Sequence, residues 1–187
     1  MKFEADISEC ENYRYSLTRE WNSYLPKVLF IMLNPSTACE ESNDLTTIRC
    51  VNYAKRWGYG GITIGNLYPY RAKRPKHLKR WLKEYTEDYY SGFDTELVYN
   101  RDKVITLMFN AGLVVCAWGN HQGEPPEWLI DASKELNKPL HHLELCKDGT
   151  PKHPLGNLSN DLRPIEYKPS WSRMCGCYIL YPNEFTN

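Results

Sequence analysis

Residues 27–36, Lys27-Val28-Leu29-Phe30-Ile31-Met32-Leu33-Asn34-Pro35-Ser36, decide the fold. A continuous apolar run without polar alternation, closed by an Asn-Pro turn, is the pattern of a short strand covered on both faces. The pattern returns at Gly61-Ile62-Thr63-Ile64-Gly65-Asn66-Leu67, at Leu113-Val114-Val115-Cys116-Ala117 and at 139–145. Helical stretches lie between these runs. Asp44 is placed as an N-cap, Ile48, Val51, Tyr53, Ala54 and Trp57 follow at roughly helical spacing, and Gly58 stands as the C′ stop. A second helix starts at Asn100 or Arg101 and runs to about Ala111. A third opens at Pro125-Pro126 and runs to about Asn137. Tyr13–Trp21 reads as a further strand, and 70–100 as a long, polar, basic segment. The tail, 165–187, adds an edge strand or packs on the surface.

Strand and helix alternate, which predicts a three-layer α/β/α sandwich around a mostly parallel central sheet of four to five strands. The chain of 187 residues suits one domain, with a core over about 13–160 and a C-terminal extension over 161–187. No run of about 18 apolar residues is present, so no membrane partner is expected. The acidic, polar N-terminus lacks the pattern of a secretory signal, and a cytoplasmic location is expected. Lys plus Arg equal Asp plus Glu at 23 each, so net charge argues for no class of partner. Seven cysteines at irregular spacings contain no C-x-x-C pair. That gives no zinc or iron–sulfur spacing, and neither metal nor cofactor is expected. Cys116 and Cys146 read as core thiols; Cys175-Gly-Cys177 is either a weak metal or redox pair or two buried thiols.

In such sheets ligands bind beyond the carboxyl ends of the strands. Each buried run here ends in residues that hydrogen-bond or stack: Asn34-Pro35-Ser36, Asn66-Leu67-Tyr68-Pro69-Tyr70-Arg71, Trp118-Gly119-Asn120-His121, and a turn leading to His153-Pro154-Leu155. All four are expected to meet along one edge, with Asn34, Asn66 and His153 sharing a pocket. Each also has a structural reading: turns for Asn34 and Asn66, a surface loop for His153, and the core for Trp118. Asp44 caps a helix or joins the site. Arg49 binds a phosphate or pairs with Asp44. The basic stretch Arg71-Ala72-Lys73-Arg74-Pro75-Lys76-His77-Leu78-Lys79-Arg80-Trp81 suits contact with a nucleic-acid backbone or forms a solvated loop and helix start, offset by the acidic run 84–94.

The order of these motifs resembles that of the uracil-DNA glycosylase superfamily: Asn34-Pro35 after the first core strand, Asn66 at the end of the second, Trp118-Gly119 after a later one, and His153-Pro154 last. It is still more similar to the family called domain of unknown function 1643, through Leu33–Ala38, Asp44 to Cys50, Trp57–Tyr59, Asn66–Ala72, Ala117–Gly119 and Gly149–Leu155. The first resemblance implies a glycosylase-like fold and recognition of a pyrimidine or modified base in DNA or a nucleotide, with hydrolysis of the N-glycosidic bond or binding alone. It implies catalytic roles for Asn34, which would place a water, and His153, which would stabilise the departing base. Asn66 would read the base edge, with Pro35, Ser36, Tyr68 and Tyr70 around the base. Phosphate contacts would come from Arg49, Arg71, Lys73, Arg74 and Lys152. Two departures count against cleavage. Asn34 cannot act as a base, and Leu155-Gly156 replaces the Ser-Pro that holds a DNA phosphate in glycosylases. Leu155 is left to wedge into a duplex or to pack. The sequence leaves the oligomeric state open.

Overall fold

A computed structural model describes residues 1–36, 44–72, 74–87, 95–120 and 122–169. The elements are β1 (Lys2–Ile7), β2 (Arg14–Glu20), β3 (Lys27–Met32), α1 (Leu45–Arg56), β4 (Gly61–Asn66), α2 (Pro75–Glu87), α3 (Thr95–Asn110), β5 (Leu113–Cys116), α4 (Glu127–Glu135), β6 (Leu140–His142) and β7 (Ile165–Glu166). They build an α/β fold on one sheet in the order β1-β2-β4-β3-β5-β6-β7. The four inner strands, β4, β3, β5 and β6, run parallel. The flanking strands β1, β2 and β7 pair antiparallel.

The sheet is therefore mixed and larger than the expected mostly parallel sheet of four to five strands. The reason is physical. A strand buried on both faces has an unbroken apolar sequence, whereas β1 (KFEADI) is an edge strand, exposed over its first half and only half-buried beyond, and β7 is an exposed two-residue edge. Neither writes an apolar pattern into the sequence. The expected strand over 13–21 is β2, and the option of an edge strand from the tail is met by β7. The polar segment 70–100 contains a whole helix, α2, and the next helix begins at Thr95 rather than at 100–101.

Strand alternation divides the core. Leu29, Ile31 and Leu33 pack with Leu78, Trp81 and Leu82 of α2, Val104 and Met108 of α3, and Leu129 and Ala132 of α4. Val28, Phe30 and Met32 face Cys50, Val51, Tyr53 and Ala54 of α1, joined by Leu143 and Leu158. Helices thus cover both faces. Each fully buried side chain of β3 contributes about 1.5–3 kcal/mol relative to exposure. α1 begins where expected: Asp44 accepts the Thr47 N–H at 2.7 Å. It ends at Trp57, followed by Gly58 at φ +82°, a left-handed conformation that favours glycine.

α1 also carries a clamp. Arg49 Nη2 donates to the Leu158 carbonyl at 2.6 Å and Tyr53 Oη to that of Ser159 at 2.6 Å. Arg56 donates to the Asn160 carbonyl, and Trp57 Nε1 to that of Leu162 at 2.9 Å. Four side chains of one helix thereby strap residues 158–162 onto the sheet and fix the segment that follows His153. Among the described residues no helix is long and apolar enough to cross a membrane.

Candidate functional site

β3 leads into α1 on one face of the sheet, whereas its neighbours β4 and β5 lead into helices on the other. Where adjacent parallel strands send their connections to opposite faces, the chain opens a crevice at their carboxyl ends. The motif residues fall there.

Asn34 is half-buried and its carboxamide is engaged. Nδ2 lies 3.0 Å from the Pro35 carbonyl, 3.4 Å from that of Tyr70 and 3.1 Å from that of Ala72. With the Ala72 N–H donating to the Pro35 carbonyl at 3.0 Å, Asn34 ties the loop after β3 to the segment after β4. Pro35 is buried. Ser36 Oγ donates to Asp44 Oδ2 at 3.4 Å, so Asp44 holds both the start of α1 and the end of the motif.

Asn66 is 1% exposed, and its Nδ2 has no partner among the described residues. A buried donor without a partner is uncommon and costly. By strand alternation it lies with Ile62 and Ile64 on the α1 side. Its backbone carbonyl accepts from Asn100 Nδ2 at 2.9 Å, and the same nitrogen reaches the Leu67 carbonyl at 3.3 Å. Asn100 is itself fully buried with an unpartnered Oδ1, and sequence reading missed it. A signal existed: Asn100, Val104 and Met108 share one stripe at i, i+4, i+8, and a polar residue in an apolar stripe marks a buried contact.

His153 is half-buried, and its Nδ1 accepts the Leu155 N–H at 3.2 Å. The neutral ring therefore carries its proton on Nε2, leaving that atom as a donor. Burial pushes its pKa below the ordinary histidine value, and the charge of Asp44 opposes the shift. Asp44 and His153 are thus electrostatic neighbours. Gly119, at φ +75°, donates its N–H to the Pro151 carbonyl at 2.8 Å, and a Cβ on it would lie 3.6 Å from that of His153. That contact joins the end of β5 to the His153 turn.

The aromatic residues lie elsewhere. Tyr70 stacks on Trp81 of α2 at 4.9 Å and 4°, and Tyr13 meets Trp81 edge-on at 6.0 Å. Tyr68 packs against the same core, its phenol pKa raised by burial. Both tyrosines belong to the α2–α4 side. Trp118 is fully buried, its ring edge against Tyr167.

The expected phosphate contacts are largely engaged. Arg49 holds the Leu158 carbonyl and does not pair with Asp44. Arg71 Nη1 donates to the Glu11 carbonyl at 2.8 Å. Lys152 pairs with Glu144 at 2.7 Å. Arg74 is exposed. Lys73, His121, Cys175 and Cys177 lie outside the described residues. Leu155 is 47% exposed and so does not pack into the core. Cys116 is buried as expected, whereas Cys146 is only half-buried because it sits in the turn after β6. Among the described residues no group of three or more His, Cys, Asp or Glu side chains could hold a metal ion.

Against known proteins, no curated protein and no solved structure matches this chain. The family model described as protein of unknown function, DUF1643, matches residues 14–155, more than half of the chain and every motif at the carboxyl edge. The chain belongs to the DUF1643 family.

Proposed function

We propose that this protein recognises a pyrimidine or modified base at the carboxyl edge of β3 and β4, on the α1 side of the sheet, in the manner of a uracil-DNA glycosylase. The observation that carries the reading is Asn66: a fully buried carboxamide whose donor has no partner among the described residues. An unmet buried donor costs about 1–3 kcal/mol, and a ligand acceptor repays that cost. A carboxamide offers one donor and one acceptor, the complement of the imide edge of uracil or thymine. His153, with Nε2–H as donor, suits a carbonyl oxygen of the base.

Binding without cleavage is the reading that Asn34 favours. Its amide is spent on the Tyr70 and Ala72 carbonyls, and a carboxamide accepts no proton near neutral pH. Asp44, which bonds Ser36 and whose charge acts on His153, is the carboxylate that a hydrolytic site would use to hold its water.

Thermal shift with uracil, thymine and their nucleotides tests recognition. At about 100 Kd of ligand the wild type should gain roughly 2.7 kcal/mol, a Tm rise of about 5–11 °C for a domain of this size, and Asn66→Leu should lose it. No shift with any base, nucleotide or oligonucleotide refutes the reading. Release of free base from oligonucleotides containing uracil or hydroxymethyluracil, lost in His153→Ala and Asp44→Asn, would add hydrolysis; its absence leaves the binding module.

A further inference from the structure

The chain has no net charge, yet 74–83, Arg-Pro-Lys-His-Leu-Lys-Arg-Trp-Leu-Lys, carries five cations and no acid. The structure sorts them. Leu78, Trp81 and Leu82 of α2 turn into the core, and Tyr70 fixes the Trp81 ring. Lys76, Lys79, Arg80 and Lys83 follow at i, i+3, i+4 and i+7 and are all exposed, as is Arg74 just before the helix. At 3.6 residues per turn these four fall within one face about 100° wide. Glu84, paired with Arg80 at 2.7 Å, stands at the margin of that face, and Glu87, the last residue of α2, falls within it. α4, by contrast, mixes Glu127, Asp131, Lys134 and Glu135.

Position gives this face its meaning. Asn34 Nδ2 binds the Ala72 carbonyl three residues before α2 starts, so the basic face begins at the crevice that holds the motif residues.

We infer that the solvent face of α2 is a phosphate-backbone contact, so that the base recognised beside it belongs to a nucleic-acid strand rather than to a free nucleoside. The partner identity rests on the base-recognition reading; the contact itself is tested separately. Lys76 to Lys83 span about 10.5 Å at 1.5 Å per residue. One strand of B-DNA presents a phosphate about every 3.4 Å of axis, so the stripe faces roughly three of them. Each neutralised phosphate lowers the slope of log K against log salt by about 0.9 for duplex and about 0.7 for single strands. Three contacts give slopes near −2.7 and −2.1, or roughly 40-fold and 20-fold weakening between 50 and 200 mM salt.

The test is fluorescence anisotropy with labelled single-stranded and duplex oligonucleotides over that salt range. The variant is Lys76→Gln/Lys79→Gln/Lys83→Gln, whose melting temperature should match that of the wild type because all three side chains are exposed. The expected result is a wild-type slope of about −2 to −3 that flattens by about 2 in the variant, while the thermal shift by free uracil stays unchanged. A salt slope near zero, or one that the triple variant leaves intact, overturns the inference. So does capture by anionic phosphatidylserine vesicles when no oligonucleotide binds. If the variant does not fold, Arg74→Gln/Lys76→Gln replaces it, with an expected flattening of about 1.5; an unchanged slope there also overturns the inference. Loss of the free-base shift with a retained α2-dependent slope refutes base recognition alone.

Discussion

Two asparagines of equal burial should answer the same substitution with opposite signs. Asn66 and Asn100 are each 1% exposed. Asn66 Nδ2 has no partner among the described residues, whereas Asn100 Nδ2 reaches the carbonyls of Asn66 at 2.9 Å and Leu67 at 3.3 Å. Leucine is close to asparagine in shape and carries no polar atom. At position 66 it removes an unmet donor, whose burial costs about 1–3 kcal/mol, and no bond is lost. The ligand-free protein should gain about 1–2 kcal/mol. At position 100 leucine removes two bonds and strands buried carbonyls, about 2–3 kcal/mol, while relieving the unmet Asn100 Oδ1 offsets about 1 kcal/mol, for a net cost of about 1–2 kcal/mol. Urea unfolding followed by circular dichroism reads both. With m near 2 kcal/mol/M, the midpoint should rise by roughly 0.5–1 M for Asn66→Leu and fall by roughly 0.5–1 M for Asn100→Leu, m unchanged. The gain at Asn66 comes with loss of base binding, the trade expected of a site kept polar for its ligand. A midpoint that falls by 0.5 M or more in Asn66→Leu refutes the reasoning, because the donor then has a partner in the free protein.

Tyr53→Phe should cost about 1 kcal/mol by deleting the bond to the Ser159 carbonyl; loosening of the strap should show as faster tryptic cleavage at Lys152. Tyr70→Leu should destabilise by about 2 kcal/mol through the lost stack on Trp81, with the thermal shift by free uracil unaltered; loss of that shift at unchanged stability would contradict the placement of Tyr70. Burial holds His153 and His142 below their ordinary pKa, so the folded chain binds fewer protons than the unfolded one as pH falls. Stability should be flat above about pH 7 and decline as pH drops through 6.5, less steeply in His153→Gln; urea midpoints between pH 5 and 8 give the slope. Cys10 is exposed, with its thiol pKa lowered by the Ser8 hydroxyl, whereas burial raises those of Cys50 and Cys116. Mass spectrometry after brief iodoacetamide treatment at pH 7.5 should find Cys10 labelled and those two protected until unfolding.

What the sequence made legible was what short-range physics controls. Val28–Leu33 and Val114–Ala117 are apolar because both faces of those strands are covered, and Asp44 is acidic because the first turn of α1 needs an acceptor. α2 was hidden although its Leu78, Trp81 and Leu82 keep helical spacing, because basic residues between them gave the segment a polar average. The partner of Arg49 was beyond reach for another reason. The Leu158 carbonyl lies 109 residues away, and a backbone carbonyl leaves no mark in sequence. Arg49 thus reads as a site residue while its structural work, shared with Trp57, is to strap 158–162 in place.

The two faces of the sheet also reorder the site itself. Motif order places Asn66, Tyr68 and Tyr70 within five residues, which suggests one pocket with a reader and a stacking ring. Alternation places Asn66 with Ile64 on the α1 side, while Tyr68 and Tyr70 pack with α2 and α3 on the other. A base held by Asn66 would therefore lie on the α1 side of the sheet, the side where Asp44 bonds Ser36 and its charge acts on His153. Negative charge there disfavours a phosphate, and the cations that could attract one stand on α2 at the far end of the Asn34–Ala72 tie. Base and backbone would then be read by different elements joined through a single carboxamide. On this view Asn34 earns its place in the motif as the joint between the two surfaces.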